Sequence, residues 1–179
     1  PPCPSTDGDA RGFVLKLDTP KLENNTNGAH GLLTFPQNVT DGFIQAVYPA
    51  FTIQSGDRFQ SVINCQYGAT GCYVTFQVSY QEGTGTVVVL KTFREKIEGL
   101  FYKLDLSLTS LAGKSVKFYL KVLATGSPTG DRAVWSGPII ARPGGSGPVP
   151  TVAPTAEPTA EVPMITVFDR FCFAQLAME

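Results

Sequence analysis

Two stretches of the chain alternate apolar and polar residues with a period of two, which only a half-buried β-strand produces. In Cys72 to Tyr80, Val74, Phe76, Val78 and Tyr80 fall on one face and Tyr73, Thr75, Gln77 and Ser79 on the other. In Ser115 to Ala124, Val116, Phe118, Leu120 and Val122 point one way and Lys117, Tyr119 and Lys121 the other. Shorter apolar or alternating segments predict further strands at Gly12 to Asp18, Gly31 to Phe35, Phe43 to Tyr48, Arg58 to Cys65, Thr86 to Arg94, Phe101 to Leu108 and Ala133 to Ile140. Clusters of Gly, Asn, Asp and Ser separate them, and no segment has the pattern of a long helix. About nine strands at this spacing predict an all-β fold, a two-sheet antiparallel β-sandwich of the jelly-roll kind.

The pattern divides the chain into an irregular N-terminal arm over 1–11, the sandwich over 12–142, a linker over 143–163 and an apolar tail over 164–179. The linker opens on Pro143-Gly-Gly-Ser-Gly-Pro148 and then repeats Pro-Thr-Ala-Glu units, so it predicts extended polyproline II with a reach of roughly 40 Å over Pro150 to Pro163. The tail carries Ile165, Val167, Phe168, Phe171, Phe173 and Leu176. Such a segment is β-prone and an aggregation hazard in water, so it calls for burial. Three readings are open: a strand docked on its own sandwich, a strand donated to a neighbouring copy as donor-strand filament subunits do, or the start of a further domain.

Composition narrows the class. Charged residues make up 16% of the 179 positions, with 14 Lys+Arg against 15 Asp+Glu, and hydrophobic residues make up 42%. That excludes an intrinsically disordered chain and leaves no cationic face for nucleic acid. No apolar run reaches the roughly 18–20 residues of a membrane span, and the N-terminus lacks the regions of a signal peptide, so the chain reads as mature protein or an excised region. Four cysteines accompany one histidine, and no Cys-x-x-Cys pair offers a zinc or redox site. With abundant Gly, Pro, Thr and Ser, that usage points to an extracellular or cell-surface protein whose cysteines pair. Two sequons, at Asn24 and Asn38, agree with secretion. Cys65 and Cys72 bracket a short connection between two strong strands and are expected to bond. Cys3 and Cys172, one on each terminal segment, would then staple the tail to its own body, link neighbouring subunits, or stay as thiols.

Catalytic chemistry has little to work with. His30 is alone, in a turn-like stretch, and reads as a surface histidine. No nucleophile elbow, zinc-protease helix or phosphate loop occurs. Asp7-Gly-Asp9-Ala-Arg11-Gly12 superficially resembles a calcium loop, but Arg11 stands where a ligand oxygen is required. Carboxylates for glycoside hydrolysis would have to come from Asp41, Asp57, Glu82, Glu95, Glu98 and Asp131, and nothing in their spacing brings them together. The expectation is a protein without catalytic residues, metal or cofactor.

Six short motifs resemble those of secreted bacterial galactose-binding-like jelly rolls, and most nearly the novel putative carbohydrate-binding module family. They are Gly56-Asp-Arg-Phe59, Cys65-Gln-Tyr-Gly-Ala69, Cys72-Tyr-Val-Thr-Phe76, Leu111-Ala-Gly113, Val116-Lys-Phe118 and the closing Asp131-Arg-Ala-Val-Trp135-Ser-Gly-Pro138. The resemblance covers Gly12 to Ala141 and implies a non-catalytic accessory module of a secreted or cell-surface protein. It makes Tyr67, Trp135 and Asp131 the candidate glycan-binding residues. For Trp135 the alternation of the last strand favours the core over an exposed platform. Two functions are thus expected. The first is a non-catalytic extracellular structural subunit that assembles with other copies of itself through its tail, and the alternative is a carbohydrate-binding module with cell-surface or extracellular glycans as partners.

Overall fold

A computed structural model describes residues 6–143; Cys3, the linker from 144 onward, the apolar tail and Cys172 lie outside the described residues. Ten strands follow one another among the described residues: β1 (Phe13–Leu17), β2 (Gly31–Phe35), β3 (Phe43–Val47), β4 (Phe51–Thr52), β5 (Arg58–Cys65), β6 (Tyr73–Glu82), β7 (Val88–Lys96), β8 (Tyr102–Ser107), β9 (Ser115–Ala124) and β10 (Ala133–Ala141). A single 3-10 turn at Thr109–Leu111 is the only helical element among the described residues. No described helix is long and apolar enough to cross a membrane.

The strands form two antiparallel sheets, one in the order β1-β2-β10-β5-β8, the other in the order β3-β9-β6-β7 with β4 paired to β9. After β4 the chain passes repeatedly from one sheet to the other, which makes the sandwich a jelly roll. The inward positions of β6 and β9 fill the space between the sheets as the alternation predicts: Val74, Phe76, Val78, Val116, Phe118, Leu120 and Val122 are all buried. Trp135 lies at the centre with 1% of its surface exposed, its ring meeting Phe76 edge-on at 4.8 Å and Phe59 edge-on at 6.5 Å.

Three departures from the expected pattern have physical causes. The segment expected over Thr86 to Arg94 runs instead from Val88 to Lys96, because Glu95 and Lys96 continue the ladder opposite Val74 and Tyr73. Within that ladder Val78 pairs with Lys91 and Ser79 with Val89, so Leu90 is an extra, unpaired residue of a bulge. β4, only two residues long, was not expected at all; its Phe51 is held by β9 and stacks on Phe118 at 5.6 Å.

One loop sets up the functional end. Between β1 and β2, residues 18–30 fold over the outer face of the first sheet. The hydroxyl of Ser136 donates to the carbonyl of Ala29, and the backbone N–H of Glu23 donates to Asn64 Oδ1 at 2.9 Å. The approach is close enough to require glycine at 28, where a Cβ would stand 2.5 Å from Ser136 Oγ. This cover buries Asn64 and Ser136 although both face away from the main core. Beside it Phe13, Leu33 and Val134 form a second small core, with Phe35 stacked on Phe13 at 5.2 Å.

Candidate functional site

Tyrosines and carboxylates gather at one end of the sandwich, where β5 turns into β6 and β7 into β8. The first connection is fixed by the Cys65–Cys72 disulfide. It is also held by backbone bonds from Tyr67 N–H to the Lys21 carbonyl and from Gln66 N–H to the Arg132 carbonyl. The side chain of Arg132 donates to Gln66 Oε1 at 2.6 Å and grips Asp7 with two bonds of 2.9 and 3.0 Å, which ties the N-terminal segment to the same end. The second connection starts where Ile97 N–H donates to the Cys72 carbonyl. Of the nine large apolar or aromatic side chains that are exposed among the described residues, Tyr67, Tyr73, Ile97, Leu100 and Tyr102 belong to these two connections and their first strand residues, so the exposed rings of the described residues are concentrated here.

Beneath them lies a group of buried acids. The carboxylate of Glu23 accepts the backbone N–H groups of both Glu98 and Gly99 through Oε1. The Glu23 and Glu95 carboxylates and Cys65 Sγ approach one another within 4.8 Å. Glu95 is 2% exposed, and no hydrogen-bond partner of good geometry reaches either of its oxygens or Glu23 Oε2. Burial, reinforced by the negative charge of Glu23, pushes the Glu95 carboxyl up to about 8. Glu98 stands at the rim: its Oε1 accepts the Tyr102 hydroxyl, and its Oε2 lies 3.6 Å from Lys96 Nζ. That bond pushes the Tyr102 hydroxyl up to about 12.

The structure sorts the residues singled out in the sequence. Tyr67 is 51% exposed, as a surface contact requires. Trp135 is enclosed in the core, so its face is closed to any glycan. Asp131 is fully buried and turns Oδ1 to the Tyr73 N–H at 2.8 Å, so it too is withdrawn from the surface. His30 is exposed, 3.5 Å from Asp18. In the segment that resembles a calcium loop, Asp9 is taken by Arg11 and Asp7 by Arg132, which leaves those acids neutralised by arginine.

Among the acids weighed for hydrolysis, Asp57 is paired with Arg142, Glu82 with Lys114, and Asp41 accepts the Gly126 N–H. Glu95 meets Glu23, which the sequence pattern did not single out, and Glu98 joins them by donating its backbone N–H to Glu23. Glu23 sits in a polar loop 75 positions from Glu98, and no local signal marks it.

No protein-family model matches the chain, and no curated protein matches it in sequence. Among solved structures, it is similar to one described as TmCBM61 in complex with β-1,4-galactotriose. The identity is 8% and the TM-score 0.45, over 72% of this chain and 79% of that one.

Proposed function

We propose that the sandwich is a non-catalytic carbohydrate-binding module that works outside the cell, and that it takes glycan at the disulfide-bounded end. The observation that carries this reading is the gathering of exposed Tyr67, Tyr73 and Tyr102 in two adjoining connections, with the carboxylate of Glu98 on the Tyr102 hydroxyl. A tyrosine ring offers an apolar face to the C–H side of a pyranose, and a carboxylate accepts its hydroxyls; the two together orient a sugar without reacting with it. The disulfide and the amide bonds to Glu23 hold both connections before any ligand arrives, which lowers the ordering cost of binding. The alternative of a self-assembling subunit rests on 164–179, which lie outside the described residues, and it gains no support from the residues that are described.

The test is native affinity electrophoresis of the full chain through gels carrying a panel of soluble polysaccharides, galactans included. Retardation by at least one of them is expected, together with at least a tenfold loss of affinity in Tyr67→Ala or Tyr102→Ala at unchanged circular dichroism. Mobility unaffected by every polysaccharide, or retardation that survives both substitutions together, would remove this end as a glycan site. Release of reducing sugar from a retarding polysaccharide would overturn the non-catalytic half of the reading.

A further inference from the structure

The β7–β8 connection, residues 97–101, depends on one side chain from a distant loop. Its large apolar residues Ile97 and Leu100 are exposed, so burial does little to fix it. Glu23, between β1 and β2, accepts the N–H groups of both Glu98 and Gly99 through Oε1. A carboxylate oxygen of Glu95 lies within 4.8 Å of one of Glu23, and both side chains are buried. Two ionised carboxylates so placed can only accept, and they repel. Glu23 Oε2 has no donor among the described residues. The Cys65 N–H favours the charged form of Glu95, but burial and the charges of Glu23 and Glu98 outweigh it. The cations of this end are engaged elsewhere: Lys96 lies 3.6 Å from Glu98, Lys21 donates to the Asn25 carbonyl, and Arg132 grips Asp7. Asp131, the other buried acid here, accepts the Tyr73 N–H.

One proton resolves the contact. Protonated Glu95 donates to Glu23 Oε2, while Glu23, its Oε1 already holding two N–H groups, stays the acceptor. We propose that Glu23 and Glu95 share a single proton that latches the β7–β8 connection, and that alkaline solution, by removing it, loosens the glycan-binding end. The device works through the difference between closed and open forms. Closed, the pair keeps its proton up to about 8. With the connection open, Glu95 meets water and releases the proton near the ordinary glutamate value of about 4.3. Opening therefore becomes easier as pH rises between those two values and levels off above the upper one. Because the connection leads into β8 at Tyr102, its opening displaces one of the exposed rings. The effect on glycan rests on the function proposed above; the latch itself rests only on the buried pair.

The test is amide hydrogen exchange of the full chain by NMR, without glycan, from about pH 5 to 9 and corrected for the intrinsic rate. Protection of the Glu98 and Gly99 amides should fall at least about tenfold across the range and level off above about 8. Glu95→Gln keeps a donor for Glu23 Oε2 and cannot ionise, so its protection should not change with pH. Affinity electrophoresis on a retarding polysaccharide should show weaker binding at pH 9 than at pH 6 in wild type and equal binding in the variant. If the variant does not fold, wild type still decides, because carbon-13 NMR should show one glutamate side-chain carboxyl titrating near 8. Protection that ignores pH, an equal fall in Glu95→Gln, or glutamate carboxyls that all titrate below about 6 would overturn the latch. Equal retardation of wild type at both pH values would sever it from glycan binding and overturn the proposal in that half. Protection that follows pH in a chain no polysaccharide retards would uphold the latch and remove only the glycan reading.

Discussion

Arg142 reaches back 85 positions to close Nε and Nη2 on the two carboxylate oxygens of Asp57, each at 2.9 Å. Asp57 is fully buried in the turn before β5, and Oδ2 also accepts the Gln54 N–H at 2.8 Å. The pair locks the residue that follows β10 to the entry of β5. Removing the arginine would strand a buried charge, so Arg142→Ala should cost about 3 kcal/mol at neutral pH.

The same pair sets an acid limit. Burial pushes the Asp57 carboxyl upward, but the bonds from Arg142 and the Gln54 amide outweigh it and hold the group below the usual carboxylate range. A group depressed in the folded state stabilises it above the unfolded value, and that contribution is lost as pH falls through the folded value. Urea titrations of wild type and Arg142→Ala should therefore differ at pH 7 and converge as pH drops below about 4. Curves that stay parallel to pH 2 would show that the pair does not govern acid stability.

Cys65 and Cys72 are buried and close a loop of short span, with sequence separation 7. A crosslink of that length restricts the unfolded chain by about 2.5 kcal/mol. Replacing both with alanine should lower stability by at least that much in chemical denaturation. It should also raise amide exchange in 66–72 more than in β9, because Tyr67 and its neighbours lose their anchor.

Asp131 predicts the opposite pH response to Asp57. Burial pushes its carboxyl up to about 6, with the Tyr73 amide pulling the other way, and Oδ2 has no partner. Between about 4 and that value the folded chain holds a proton that the unfolded chain has released, so stability falls as pH rises through the window and then levels off. Asp131→Asn keeps an oxygen for the Tyr73 N–H and removes the charge. It should be more stable than wild type at pH 7, lose the fall between pH 4 and 6, and match or trail wild type at pH 4. Thermal melts across that range decide it.

Much of this fold was legible because a sandwich between two sheets buries every second residue. β9 occupies the Ser115 to Ala124 stretch that its alternation marks, and Val116 to Val122 alternate buried and less buried along it. Alternation fails where both faces are covered: Val134 and Trp135 are adjacent and both buried, because Phe13 and Leu33 cover the outer side of β10. It also fails at Glu95, a charged residue near a strand end that reads as solvent-facing and instead points between the sheets. The acidic group could not be read at all. Its members meet where the loop between β1 and β2 packs on Asn64 and Ser136 and brings Glu23 over the end of β5, a contact set by packing and not by any local motif.

Trp135 separates a core role from a ligand role by one measurement that needs no ligand. It is the chain's only tryptophan, so all indole fluorescence reports on this residue. Packed at 1% exposure among Phe59, Phe76 and the aliphatic core, the ring should emit at short wavelength and resist quenching by iodide. Trp135→Ala would open a cavity between the sheets and should cost about 4 kcal/mol, within the usual range for such truncations. The ring is remote from solvent, so any glycan that binds at the tyrosine end should leave the emission maximum unchanged, and Trp135→Phe should retain that binding. Strong iodide quenching in the native state, or loss of glycan binding in a folded Trp135→Phe variant, would mean that the ring reaches the surface and that the closing strand carries the site after all.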